Sequence, residues 1–242
     1  MDPLRICLWS GPRNVSTALM YSFAERPDTR VVDEPLYAHY LRVSAARHPL
    51  REEVLAAYET DGQKAVRGVV LGPCDRPVLF LKQMAHHLVD LDLGFLEQTK
   101  NILLIRHPSE VLSSLVRQLP EPQLADTGIA IQCDLLRQLQ EMGQEPPVID
   151  SRELLRDPAG VLEQLCARLE IPFMKAMMSW NAGPRREDGL WAPHWYENVH
   201  RSTGFMPYRP KTQAFPEKLQ PLLEECRPYY DRLFAEAIRA TV

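Results

Sequence analysis

The run Leu4-Arg5-Ile6-Cys7-Leu8-Trp9 leads into Ser10-Gly11-Pro12-Arg13-Asn14-Val15-Ser16-Thr17, and this stretch constrains the chain more than any other. The apolar run reads as a buried strand. The residues after Thr17, with Ala18, Leu19, Tyr21, Ser22 and Phe23, are compatible with a helix. A strand that enters a tight loop and then a helix aims backbone N–H groups and the positive end of the helix dipole at one point, which suits phosphate or sulfate. Arg13 adds a fork-shaped cation, and Ser16 and Thr17 add hydroxyl donors. An ordinary strand-to-helix turn capped by Ser16 or Thr17 fits the same letters.

A nucleoside-triphosphate P-loop does not fit. Counted from Gly11, that motif needs Gly at position 16 and Lys at 17, where this chain has Ser16 and Thr17. Without the lysine, hydrolysis of ATP or GTP is disfavoured and an anion site remains. The formal net charge of −4 over 242 residues argues against a general nucleic-acid binder, while leaving room for a local basic pocket. The five cysteines are scattered without a CxxC pair, so they read as reduced thiols and not as zinc ligands. No apolar run reaches the roughly 20 residues that span a bilayer, and no secretory signal is visible. The expectation is a cytoplasmic protein of one domain, 1–242, with no membrane or nucleic-acid partner.

The remaining elements alternate. Thr29–Asp33 is a short β-rich run stopped by Pro35, and Val78–Leu81 is an apolar run ending at Lys82-Gln83-Met84. Asn101–Ile105 is apolar without interruption from Ile102, as in a strand buried on both faces of a parallel sheet. A helix begins at Pro108, and the longest helical pattern covers Ala125–Met142, with Ile129, Cys133, Leu136 and Leu139 as its buried face. Val148-Ile149 is a very short strand. Ser151 is placed to cap the turn after it, and Asp157-Pro158 opens a further helix. Residues 181–211 mix Trp191, Trp195, Tyr196, Phe205 and Tyr208 with Arg185, Arg186, Arg201, Arg209 and Lys211, and read as a long structured loop. Alternating strands and helices predict an α/β fold of three layers, P-loop-like, with a central parallel sheet flanked by helices.

Ligands of such sheets bind beyond the carboxyl ends of the strands. Four candidate strands end in Ser10-Gly11-Pro12-Arg13, Asp33-Glu34-Pro35, Lys82-Gln83 and Arg106-His107-Pro108. Two arginines, a lysine and an acidic pair at these ends point to an anionic ligand with a carboxylate beside it.

These residues resemble the sulfotransferase superfamily, whose members move a sulfuryl group from 3′-phosphoadenosine 5′-phosphosulfate (PAPS) to a hydroxyl or amine. Pro12-Arg13-Asn14-Val15-Ser16-Thr17 is similar to the family's first loop at Pro12, Arg13, Ser16 and Thr17, and departs from it at Asn14 and at Val15, where glycine is usual. Arg106 followed by Ser114 resembles the second motif, which holds the 3′-phosphate; Arg201, in His200-Arg201-Ser202-Thr203-Gly204, resembles a late basic loop over the nucleotide. The resemblance implies PAPS as donor, a small-molecule acceptor and no metal. It implies a donor site of Gly11, Pro12, Arg13, Asn14, Val15, Ser16, Thr17, Arg106, Ser114 and Arg201. Arg13 and Lys82 are expected to stabilise the leaving phosphate. Many cytosolic members carry a histidine two residues after the lysine, where this chain has Met84. A branch that includes heparan sulfate sulfotransferases uses a glutamate after the second strand, and Glu34 resembles it. Glu34 is therefore the expected general base, with His86 or His87 as the alternative. The same letters also fit a nucleotide-binding or scaffold protein that kept the fold and lost transfer.

Overall fold

Strand β1, Leu4–Ser10, is sealed on both faces: Ile6, Cys7, Leu8 and Trp9 have no exposed surface. That burial is characteristic of an interior strand of a parallel sheet. The structure is a computed structural model that describes residues 2–44, 46, 48–210 and 213–241. Among the described residues, β1 is joined by β2 (Thr29–Asp33), β3 (Val78–Met84), β4 (Lys100–Ile105), β5 (Val148–Asp150) and β6 (Ala237–Ile238). They form one parallel sheet in the order β2-β3-β1-β4-β5-β6, flanked by helices, as the alternating pattern predicts.

The residues group into two compact units. One comprises Met1–Leu8, Ser16–Asn101 and Met174–Phe205; the other comprises Trp9–Val15, Ile102–Phe173 and Met206–Val242. In the first unit β2 and β3 run in register, with Asp33 opposite Lys82. Helix Ser16–Ala24 lies against them, and Phe23 stacks on Phe80 at 4.1 Å between ring centroids. In the second unit β4 pairs with β5 and β5 with β6. Helix Gln220–Ala235 packs on Ile129–Glu141 there, and Leu112, Leu219 and Leu223 form a small buried cluster.

Several local expectations hold and others shift. Helix Pro108–Leu115 begins with proline in its first turn, and Asp157 caps Pro158–Arg168 by accepting from Gly160 N–H at 2.9 Å. The pattern over Ala125–Met142 is broken at Gly128, whose φ of 69° ends Leu124–Thr127 before Ile129–Glu141 starts. The buried face consequently includes Gln132 and Leu135 in place of Cys133, and the Gln132 amide donates to Trp9 O at 3.1 Å and Leu104 O at 2.9 Å. Asp150, not Ser151, caps Ser151–Arg156, its carboxylate accepting from Arg152 N–H at 2.8 Å. β3 runs through Lys82 to Met84, in keeping with a strand that ends at Lys82-Gln83-Met84, and its parallel pairing to β2 continues to Lys82. Pro228 sits inside one 16-residue helix, Gln220–Ala235. β6, two residues long, carries no periodic signal in the sequence.

Gly11 marks the closest backbone approach near the loop. A Cβ there would come within 2.8 Å of Thr127 O and 3.3 Å of Gln132 Oε1. The Gly11→Ala protein is expected to lose about 1–3 kcal/mol of stability, as overpacked sites do, measured by urea unfolding monitored by tryptophan fluorescence.

Candidate functional site

The loop after β1 is pinned from within its own unit. Asn14 Nδ2 donates to Leu104 O at 2.9 Å, its Oδ1 accepts from Val15 N–H at 2.9 Å, and Ser151 Oγ bonds the same Oδ1. Asn14 is therefore a brace of the loop, and the Val15 N–H is taken up by it. Ser16 and Thr17 are the first residues of helix Ser16–Ala24; Ser16 is buried and Thr17 half-buried.

Arg13 lies at φ 56°, in the left-handed region that non-glycine residues rarely adopt. Its carbonyl accepts from Arg106 Nη1 at 2.7 Å, and its Nε donates to Ser114 Oγ at 2.9 Å. Arg106 and Ser114, which lie 93 and 101 residues beyond Arg13 in sequence, thus form one cluster with it. Arg106 is steadied by Glu110, with Nε to Oε2 at 2.9 Å, and Tyr208 Oη donates to the other Glu110 oxygen at 2.8 Å. Among the described residues no carboxylate pairs with Arg13. Burial lowers the pKa of its guanidinium, and the positive charges of Arg106 and Arg117 act in the same direction. This is the electrostatics of a cradle that an anion would relax. Gly11, Pro12, Arg106, Thr127 and Gln132 line a depression beside it. Arg117 is an addition from the structure; its signal in the sequence is its position three residues after Ser114.

The second cluster lies in the first unit. Lys82 is buried, with a side chain only 2% exposed, and its ammonium donates to Asp33 Oδ1 at 3.0 Å, to Tyr196 Oη at 2.5 Å and to Glu34 Oε1. These three bonds use all three of its N–H groups. The sequence leads one to expect Lys82 to face a leaving phosphate; its donors are instead taken by Asp33, Glu34 and Tyr196, because pairing of β2 with β3 sets Asp33 directly opposite it. Tyr196 lies in the segment that the sequence reads as a long structured loop. Its hydroxyl donates to Asp33 Oδ2 at 2.8 Å and accepts from Trp191 Nε1 at 3.0 Å as well as from Lys82. Trp191 packs with Tyr37, Leu41 and Val54, so this part of the late segment is core, and Trp195 lies against it. Lys211 lies outside the described residues.

Glu34 also has a positive φ, 42°, held by Glu34 N–H donating to Lys82 O at 2.8 Å and by Tyr37 N–H donating to Glu34 O at 3.0 Å. Burial pushes its carboxyl upward, Lys82 pulls it down and the Asp33 carboxylate pushes it up again, with a net rise. Lys82 is held well above its ordinary value: burial opposes its charge, but Asp33, Glu34 and Tyr196 outweigh burial. His87 stacks between the Tyr37 and Tyr40 rings, and its Nε2 lies 3.9 Å from Glu34 Oε2. Burial, then His86 and Lys82, hold it well below 6.5; His86 is pushed down to about 4 by burial and His48. Both histidines are therefore neutral and weak as bases, while Glu34 moves toward neutrality, where a base works best. Arg201 is exposed and ion-paired with Glu197 at 2.6 Å, a surface pair that costs little to open.

The profile of the family described as "Sulfotransferase domain" matches residues 4–237. The chain belongs to the sulfotransferase domain family. This sulfotransferase domain is similar to a sulfotransferase domain from the curacin biosynthetic pathway, with a TM-score of 0.57, 20% identity, and 98% of this chain and 99% of that one covered. It is also similar to a sulfotransferase from Alicyclobacillus acidocaldarius, with a TM-score of 0.54, 16% identity and 97% and 96% coverage. At such identities these two show the shared fold. Two curated relatives from Arabidopsis thaliana, Branched-chain-amino-acid aminotransferase-like proteins 2 and 1, are each 42% identical, over 226 and 233 residues. Those stretches are 93% and 96% of this chain but only 40% and 42% of theirs. Among the described residues no helix is long and apolar enough to cross a membrane, and no three His, Cys, Asp or Glu side chains gather as a metal-ion site.

Removing one side of the buried ion cluster exposes its energetics. Lys82→Met leaves Asp33 and Glu34 buried without a counter-charge and is expected to cost about 3–5 kcal/mol at neutral pH, measured by urea unfolding. Without the ammonium the Glu34 carboxyl, already pushed up by burial, loses the charge that pulls it down, so the native state binds more protons there than the unfolded chain does. The deficit is therefore expected to shrink on acidification toward about pH 5; a deficit that stays constant with pH would place the loss elsewhere.

Proposed function

We propose that this single domain, residues 1–242, transfers a sulfuryl group from PAPS to a hydroxyl or amine of a small-molecule acceptor. The observation that carries the reading is the Arg13–Arg106–Ser114 cluster, in which the two motifs that resemble donor-binding elements meet at a cation lacking a carboxylate among the described residues. Arg106 and Ser114 take the 3′-phosphate. Arg13 with Gly11, Ser16 and Thr17 takes the 5′ end, Pro12 shaping the turn and Asn14 and Val15 supporting the loop, with Arg201 as a further phosphate ligand. The donor, when bound, supplies an activated sulfuryl group on a phosphate leaving group. Arg13 balances the charge that grows on that phosphate. Glu34 accepts the acceptor's proton at Oε2, since Oε1 is bonded to Lys82. Lys82 acts through Glu34, keeping a buried carboxyl in a form able to accept that proton. The aminotransferase wording in the relatives' names belongs to proteins of which this chain matches about two fifths, so we assign sulfuryl transfer to this chain. A nucleotide donor of this kind fits a cytoplasmic protein.

Calorimetric titration tests the donor site with 3′-phosphoadenosine 5′-phosphate beside the same nucleotide lacking its 3′-phosphate. The expected outcome is binding that requires the 3′-phosphate and weakens about tenfold or more in Arg106→Ala, the loss of one or more charge-assisted hydrogen bonds. Equal binding of the two nucleotides would overturn the donor assignment. Glu34→Gln is expected to bind the nucleotide as the parent does while transfer falls roughly 10²–10⁴-fold, the usual worth of a general base. Unchanged transfer would remove Glu34 from the mechanism, and phosphate transfer from ATP would replace the sulfotransferase reading altogether.

A further inference from the structure

Lys82 has three partners, and the proposed reaction uses only Glu34. Asp33 and Tyr196 need a separate account. Asp33 is the more deeply buried of the two carboxylates: its side chain is 1% exposed, against 10% for Glu34. Two carboxylates thus compete for one ammonium, and both are buried. The contest is set by donors from the late segment. The Tyr196 hydroxyl gives its one proton to Asp33, at 2.8 Å from Oδ2, and Gly189 N–H donates to the same oxygen at 3.1 Å. The Tyr196 oxygen in turn accepts from Lys82 at 2.5 Å and from Trp191 Nε1 at 3.0 Å. Asp33 is partly satisfied without Lys82, and Lys82 is anchored at a point that leaves one N–H for Glu34 Oε1. The segment that contributes Gly189 and Tyr196 is itself fastened: Asp188 accepts from Tyr21 Oη at 2.8 Å and from Arg185 N–H at 2.9 Å, and bonds His200 Nε2 at 2.9 Å.

We infer that Asp33 and Tyr196 are positioning residues for Glu34, acting on it both directly and through Lys82, whose hold on the base they set. The inference rests on the reading of Glu34 as the general base. The groups that face Glu34 are Asp33 on β2, Lys82 on β3, His87 in the turn Ala85–His87, Tyr37 at the start of helix Tyr37–Ser44, and Tyr196. Burial holds His87 neutral and the two tyrosines protonated, so Asp33 and Lys82 carry the charges that act on Glu34. Asp33→Asn removes the like charge and the competitor for Lys82, which makes ionisation of Glu34 easier. Tyr196→Phe removes a donor from Asp33, removes the hydroxyl that itself favours the ionised Glu34, and frees Lys82 to shift toward Asp33, all of which make ionisation of Glu34 harder. The two substitutions therefore push Glu34 in opposite directions, a pattern that general loosening of the fold does not produce.

The experiment is a pH titration of the full chain carrying ¹³C-labelled glutamate, with the Glu34 carboxyl signal identified by its loss in Glu34→Gln. The Glu34 midpoint is expected to fall in Asp33→Asn and to rise in Tyr196→Phe. Midpoints that stay at the parent value, or move together, overturn the inference. Tyr196→Phe keeps its ring in the apolar cluster; should Asp33→Asn not fold, a rise in Tyr196→Phe supports the inference, and no rise overturns it. The acid limb of kcat/KM for transfer is followed in the same proteins and is expected to move with the midpoints. Midpoints that separate while the acid limb stays put uphold the positioning roles and refute Glu34 as the base, so the two failures are distinguishable.

Discussion

The buried ammonium of Lys82 is the interaction on which the first unit depends. It is the counter-charge for both Asp33 and Glu34, and Tyr196 completes its coordination. Dehydrating a lysine and two carboxylates is expensive, and the arrangement persists only because every N–H of the ammonium has an acceptor. That requirement explains neighbouring features that would otherwise look unrelated. β2 and β3 must pair with Asp33 opposite Lys82, and the late segment must return far enough to bring Tyr196 and Gly189 to Asp33. Trp191, which donates to the same hydroxyl, then becomes part of the core with Tyr37 and Val54.

Two of the five non-glycine residues with positive φ among the described residues belong to the two clusters. Arg13 and Glu34 both hold positive φ, a conformation that costs about 1–3 kcal/mol at a non-glycine residue unless its surroundings enforce it. In each case the enforcing bond comes from another functional residue: Arg106 bonds the carbonyl of Arg13, and the Lys82 carbonyl accepts the N–H of Glu34. The backbone is therefore bent by the residues that share the chemistry, which ties the direction of each side chain to the integrity of its cluster. The two clusters also differ in kind. Around Lys82 one ammonium is closed off by two carboxylates and a tyrosine; Arg106 is paired with Glu110, while Arg13 beside it has no carboxylate partner among the described residues, which is the condition for receiving an anion.

The strand–loop–helix at 4–24, the uninterrupted apolar strand ahead of Arg106, the proline that opens the next helix and the spacing of Arg106 to Ser114 are legible in the sequence, because all rest on local rules of burial, capping and turn chemistry. Glu34 and Lys82 are legible there as ionisable residues at or near strand ends. Their mutual arrangement is not, because Lys82 pairs with Asp33 across 49 residues and with Tyr196 across 114. Asn14 reads as a departure in a ligand loop and is a brace to Leu104 and Ser151. Gln132 carries no signal in the sequence analysis, yet it is buried, its amide donating to the carbonyls of Trp9 and Leu104.

The sequence by itself determined the alternation of elements, the family and the residue types able to bind an anion and accept a proton, since each of these depends on neighbours within a few turns of chain. Only the tertiary structure decided which charges are neutralised and which stay open. Lys82 is enclosed by partners from β2 and the late segment, while Arg13 meets Arg106 and Ser114 and no carboxylate among the described residues. A charge's chemistry depends on what desolvates it and what it faces, and both are supplied by residues remote in sequence that the sheet and its crossovers bring together.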